Sequence, residues 1–202
     1  MAPSILVVHP SLPVKSVREL IALAKARPGE LNYGSVGPGT PNEIAAELFK
    51  SMAGGLKIVE VPFRGGGPAI IALVGGQVQL MFGSAASVAP QMKAGRLRAL
   101  AITSVEPSKL LPDLPTIASA GLPGYDAVTL FAAFAPAKTA PAIVTLLHKE
   151  IVQVLAAPEV RQRFFGAGVD VVGGTPEQLA AKVKVEASKM AAIIKEANIH
   201  AE

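Results

Sequence analysis

The sequence predicts an α/β fold in which a mostly parallel sheet is flanked by helices. Three observations carry this. Strand-length apolar runs alternate with amphipathic, helix-length segments through residues 1–126. Half the residues are hydrophobic and only 17% are charged, a balance that favours a buried core over disorder. Aromatic residues make up 4% with no Trp, so Ala, Val, Leu and Gly do the packing, which suits closely spaced layers of helix and sheet.

Ile5-Leu6-Val7-Val8, bounded by Pro10, has the form of a fully buried strand. Ser16 and Glu19 make a capping box for a helix with Val17, Leu20, Ile21 and Ala24 on one face, stopped by Pro28-Gly29. Leu31 and Tyr33 end a short strand that runs into a turn with three glycines, Gly34, Gly37 and Gly39. Thr40-Pro41-Asn42-Glu43 then opens a helix that ends at Gly54-Gly55, with Thr40 as N-cap, Pro41 at the first helical position and Glu43 closing a second box. Lys57 to Val61 reads as a strand leading into Pro62-Phe63-Arg64-Gly65-Gly66-Gly67-Pro68 and a helix to Val74. Val78 to Phe82 is the next strand, followed by Gly83-Ser84-Ala85-Ala86-Ser87 and a helix to Ala94-Gly95. Leu97 to Thr103 is a strand, and Leu114 to Ala120 a short helix beyond a proline-rich connection. This βαβαβαβαβ order, with short connections, implies parallel strands and right-handed crossovers.

Past Gly121-Leu122-Pro123-Gly124 the character changes. An extended apolar segment (Ala127 to Ala135), helices over Pro141 to Ala156 and Pro158 to Gly166, a short strand at Asp170-Val171-Val172 and a final helix capped by Thr175-Pro176-Glu177-Gln178 and reaching Asn198 follow. Two strands are too few for an independent sheet. The organisation expected is therefore 1–126 as one domain and 127–202 as part of an incomplete second one.

Composition narrows the function. The net charge of +4 is spread out, without basic–aromatic alternation, which argues against nucleic acid as a partner. There is no Cys, and His9, His148 and His200 lie far apart, so neither a thiolate nucleophile nor a zinc site is expected, and no cofactor is implied. No apolar run reaches the ~18 residues of a membrane span, and the start lacks the basic segment of a signal peptide. On that reading the chain carries no export address and is cytoplasmic if Met1 is the true start. The Gly-rich turns lack the endings of a P-loop or dinucleotide fingerprint. No nucleophile elbow is present, and Gly83-Ser84-Ala85 is not one.

What remains is binding at the carboxyl ends of the strands, where ligands of open α/β sheets sit. The first turn feeds a helix start whose outward N–H groups suit a carboxylate or phosphate. Its donors are the amides of Gly39, Thr40, Asn42 and Glu43, of which a capping box consumes two. Glu43 also places negative charge where an anion would sit. Arg64, the only basic residue in these turns, either clamps a carboxylate or is solvated at a strand end. Ser84 and Ser87 either cap the following helix or offer hydroxyls to a ligand.

Six linked stretches carry a resemblance. They are Val7-Val8-His9-Pro10-Ser11-Leu12-Pro13, Leu31-Asn32-Tyr33-Gly34-Ser35, Gly37-Pro38-Gly39-Thr40-Pro41, Glu47-Leu48-Phe49-Lys50, Gly95-Arg96-Leu97-Arg98-Ala99-Leu100-Ala101, and Leu114-Pro115-Thr116 through Gly121-Leu122-Pro123-Gly124-Tyr125. In this order they resemble the Bug family, the extracytoplasmic solute receptors of tripartite tricarboxylate transporters. The resemblance implies a type II periplasmic-binding-protein-like fold, a small carboxylate ligand held between two domains, delivery to membrane permease subunits, and a periplasmic location. It maps the family's ligand loop to Ser35, Gly37, Gly39 and Thr40, and brings Arg64, Ser84 and Phe131 near the cleft; Asn42, a donor at the same helix start, is the remaining ligand-binding candidate. It makes 1–126 the second, ligand-loop domain and 127–202 the C-terminal part of the first, whose N-terminal half and signal peptide are expected to be missing. Glu43 stands where family members often carry His, and Gly83 where they often carry Asp. Two other classes compete: a small α/β enzyme using the turns for a phosphorylated substrate, and a non-binding fragment that forms a homo-oligomer through Ala127–Ala135.

Overall fold

The computed structural model describes residues 1–108 and 111–197. In chain order its elements are β1 (Ala2–Val8), α1 (Val17–Ala26), β2 (Asn32–Ser35), α2 (Pro41–Met52), β3 (Val59–Pro62), α3 (Gly66–Val74), β4 (Leu80–Ser84), α4 (Ala85–Lys93) and β5 (Arg98–Ile102). α5 (Ile117–Ala120), β6 (Val128–Thr129), α6 (Pro141–Ala156), α7 (Pro158–Gly166) and α8 (Pro176–Ala197) follow. The expected helix end at Asn198 lies outside the described residues, as does His200. No helix among the described residues is long and apolar enough to cross a membrane.

The strands run in the order β3-β2-β4-β1-β5, and β6 pairs with the start of β1. β2 is parallel to β3 and β4. β1 is antiparallel to both β4 and β5. Strands β2 to β5 therefore point one way, as the alternating pattern implies, and β1 is reversed in their midst. Direction is invisible in β1 because Pro3 to Val8 are all buried, and a strand apolar on both faces reads the same either way. Its first residues explain the reversal: Ala2 and Pro3 pair with Thr129 and Val128 of β6, and Ser4 to Val8 pair with β4. One strand thus serves three ladders, with β4, β5 and β6.

The pleat of β1 divides the core. Leu6 and Val8 face a cluster with α1, α2 and α5, including Leu20, Phe49, Phe82, Ile117 and Tyr125. Ile5 and Val7 face the other, with Ile70 and Leu73 of α3, Val88 of α4, and Met81 and Ile102. The two-residue period of a strand sends alternate side chains to opposite layers. Phe49 is the hub of the first layer, with ring centroids 5.8 Å from Phe82 and 6.5 Å from Tyr125.

Capping follows the sequence in part. Ser16 Oγ accepts from the Glu19 amide at 3.2 Å, but the Glu19 carboxylate takes the Lys15 amide at 2.6 Å instead of that of Ser16. At α8 the box closes fully through Gln178: its amide donates to Thr175 Oγ1 at 3.2 Å and its side chain accepts from the Thr175 amide at 2.9 Å.

Beyond residue 126 the expectations need correction. Only Val128 and Thr129 of the apolar segment are in a strand, and Phe131 and Phe134 are 65% and 76% exposed. Asp170 to Val172 forms no strand; Asp170 instead exchanges two hydrogen bonds with Met1, at 2.6 and 2.7 Å. The two-residue ladder of Ala2 and Pro3 with β6 and the single residue pair Met1–Asp170 are too short for an independent sheet. Neither α6 nor α7 buries a residue. α8 crosses back onto α2, with Lys189 3.3 Å from the Asp126 carboxylate and Ile193 buried.

Tyr125, fully buried, donates its hydroxyl to the Ala45 carbonyl of α2 at 2.8 Å. Tyr125→Phe should cost about 1 kcal/mol in urea unfolding, the net worth of one buried hydrogen bond. Tyr125→Ala should cost about 3–5 kcal/mol, because it also opens a cavity against Phe49.

Candidate carboxylate-binding edge

Because β2, β3 and β4 are parallel and adjacent, their carboxyl ends share one edge of the sheet, with Ser35 opposite Pro62 and Tyr33 opposite Leu80. The three turns that follow therefore lie side by side. The antiparallel β1 brings its start to the same edge, Ser4 pairing with Ser84. β6 then continues that edge, so Phe131 follows two residues beyond Thr129, which pairs with Ala2. Seven of the expected residues (Ser35, Gly37, Gly39, Thr40, Asn42, Arg64 and Ser84) come from these three turns, and Phe131 stands at the far end of the row.

In the first turn the donors are largely spent. Ser35 Oγ, with the residue fully buried, donates to Glu60 Oε1 at 2.5 Å. Thr40 sits at the N-cap of α2 but makes no side-chain cap bond; its hydroxyl donates to the Gly37 carbonyl at 2.8 Å. The expected box is therefore displaced. The Glu43 carboxylate accepts from the Gly39 amide at 2.5 Å, one residue earlier than a capping box requires. Gly39 has φ +68°, so the chain doubles back enough to present its amide to the first turn of α2, a conformation that favours glycine. Asn42 donates its side-chain amide to the Phe82 carbonyl, tying α2 to the end of β4. These bonds make the turn rigid and leave it few donors for an anion.

The second turn is the opposite. Gly65, with φ +105°, precedes α3 and provides no side-chain cap. The helix opens Gly66-Gly67-Pro68, so the Gly66 and Gly67 amides have no intrahelical partner. Neither makes a bond to any described residue. Arg64, exposed and free of any ion pair among the described residues, stands immediately before them. Sequence reasoning named Arg64 but passed over Gly66 and Gly67; the signal was a Gly-Gly-Pro helix start, which carries no capping side chain.

In the third turn Ser84 is the N-cap of α4 without a side-chain cap bond. Its hydroxyl donates to Ser87 Oγ at 2.8 Å, and Ser87 donates to the Ser84 carbonyl at 2.8 Å. Neither hydroxyl performs the default capping role. Gly83 is tightly held: a Cβ there would come within 2.3 Å of Val88 Cγ1. A side chain at this position, aspartate included, does not fit this packing.

The charge around the first turn is negative. Glu47 accepts from Tyr33 Oη at 2.8 Å and from Lys50 Nζ at 2.7 Å, which leaves Lys50 as the counter-charge of the group. Burial, the Glu47 carboxylate and its hydrogen bond hold the Tyr33 hydroxyl well above its usual range. Burial also raises the Glu43 carboxyl above its ordinary 4.5, with Glu60 and Glu47 adding to the shift, against the Gly39 amide and Lys50. Among the described residues no three His, Asp or Glu side chains are grouped to hold a metal ion.

Residues 1–199 match the family model described as tripartite tricarboxylate transporter family receptor. The chain belongs to this family. It is 36% identical over 200 residues to a UPF0065 protein from the tcbD-tcbE intergenic region of Pseudomonas sp. strain P51, and 35% identical over 194 residues to protein BugT of Bordetella pertussis. The matches take in 98% and 96% of this chain but 59% of each relative, so the chain spans less than two thirds of their length. Among solved structures, an R. palustris protein with adipate superposes at a TM-score of 0.84 with 35% identity, covering 98% of this chain and 66% of that one. MatC from Rhodopseudomonas palustris, with bound malate, superposes at 0.74 with 28% identity, over 96% of this chain and 66% of that one.

Glu43→Gln keeps an acceptor for the Gly39 amide and removes the charge. A carboxyl raised in the folded state binds more protons there than in the unfolded chain, so its burden on stability is absent below pH 4.5 and grows as pH rises through the folded value. The variant's stability advantage in denaturant titrations should therefore increase with pH above 4.5. Gly83→Ala should cost about 1–3 kcal/mol by overpacking against Val88, and the paired Val88→Ala should recover part of that loss in a double-mutant cycle.

Proposed function

We propose that this chain supplies one side of a solute-binding receptor for a small organic carboxylate, feeding a tripartite tricarboxylate-type transporter. The observation that carries the reading is the open pair of amides at Gly66 and Gly67 beside Arg64, on the ligand-binding edge of a chain that belongs to a receptor family. The amides and the positive end of α3 favour a carboxylate, and the guanidinium can clamp it in two-point fashion. Adipate and malate, named for two similar structures, are small carboxylates of this kind.

The reading extends to organisation. The buried members of both core clusters come from residues 5–125, which supports 1–126 as the ligand-loop domain. Residues 127–202 are then part of the opposing domain, and the exposed apolar side chains of α6 (Ile143, Leu146, Leu147, Ile151 and Val154) await the rest of it. The length of the relatives outside the match would supply that part and the second jaw of the cleft. Closure of the two jaws presents the loaded receptor to permease subunits. One similar structure is described as periplasmic binding protein BugD, and the periplasm is the compartment this role requires. Where the apolar face is left uncovered, association of copies through it follows.

Calorimetry against adipate, malate, succinate and glutamate tests the reading. Weak binding is expected from a single jaw, because a closed cleft buries most of a ligand. Arg64→Ala should weaken it roughly tenfold or more, matching the ~1.5–3 kcal/mol of a charge-assisted hydrogen bond, and Arg64→Lys should recover only part. Tight binding of a phosphorylated metabolite, with none of any carboxylate, would overturn the proposal.

A further inference from the structure

Glu43 does more than shape the first turn. Its Oε2 occupies the Gly39 amide, the donor that a ligand carboxylate would need there. Its other oxygen is informative. No buried side-chain oxygen or nitrogen among the described residues lacks a partner, yet no bond is made by Glu43 Oε1. Although the residue is only 6% exposed, Oε1 is therefore not fully sealed from solvent and keeps its acceptor capacity. The hydroxyls of Ser35 and Thr40 and the amide of Asn42 are turned onto protein acceptors. The first turn thus presents one acceptor with negative charge and few donors, whereas the second presents Arg64 and two open amides.

We infer that Glu43 is an internal occupant of the Gly39 amide that sets specificity, closing the first turn to anions and selecting ligands whose end opposite the carboxylate donates a hydrogen bond. The ligand class is a monocarboxylate with a hydroxyl, amine or amide at its far end, in preference to a symmetric dicarboxylate. This rests on the carboxylate reading above. Burial, with Glu60 and Glu47 adding to it, already raises the proton affinity of Glu43 and works against a further negative charge at this place, while a donor that reaches Oε1 gains a charge-assisted hydrogen bond.

The test is an amide NMR titration of the full chain and of Glu43→Gln and Glu43→Ala, using acetate, adipate and 6-hydroxyhexanoate as probes. In the unmodified chain, acetate should shift the Gly66 and Gly67 signals and leave Gly39 in place, and 6-hydroxyhexanoate should bind about tenfold more tightly than adipate, the size of one charged hydrogen bond. In Glu43→Ala the freed Gly39 amide should respond to acetate. In Glu43→Gln, whose side-chain amide can itself donate, the preference should shift toward adipate. A response of Gly66 and Gly67 with Gly39 indifferent to the residue at 43, or adipate bound at least as tightly as the hydroxy acid by the unmodified chain, would overturn this inference alone. Silence of all three glycines in all three proteins would remove the carboxylate reading and the inference with it.

Discussion

Strand β1 hydrogen-bonds along both edges and packs on both faces, and among the described residues no other element does this over so much of its length. Its register against β4 (Ser4 with Ser84 through Val8 with Leu80) and against β5 (from Ile5 with Ile102) fixes where the carboxyl ends of the parallel strands finish. A slip of one residue would send Leu6 and Val8 into the layer built for Ile5 and Val7. The irregularity between Leu6 and Val7 in the β5 ladder is absorbed on that side alone, which leaves the β4 register unbroken. The edge that carries the three turns is therefore only as well defined as this one strand.

On that edge, two turns of similar composition reach opposite chemistries. Both are glycine-rich and both open helices. What separates them is a single carboxylate at the first turn and a single guanidinium at the second. Glu43 consumes the dipole and the amide that make a helix start attractive to anions, whereas Gly65, Gly66 and Gly67 offer no side chain to do so. Backbone geometry makes an anion site available; side chains decide whether it is vacant.

Much of this was legible in the sequence, and the exceptions have physical causes. Periodicity placed α6 and α7 at their observed bounds because Pro141 and Pro158 mark their starts without ambiguity. It placed the three turns on one edge because alternating strands and helices leave little choice. It could not show the reversal of β1, since an all-apolar strand carries no directional signal. It misjudged Asp170 to Val172, where β-branched residues suggest a strand but only Met1 is there to pair with. It anticipated that Glu43 would compete for the turn, yet the displacement of its bond from Thr40 to Gly39 depends on the backbone of one glycine, which no pattern of residue types encodes.

The place of β1 has a consequence for the order in which the chain can fold. β1 pairs with strands that begin at Leu80 and Arg98, so it must remain unpaired until those later residues have been made. β2, α2 and β3 can close on one another early, because their contacts are local. β1 is thus synthesised before β2 to β5 yet seated after several of them, an apolar ribbon that needs shielding in the interval.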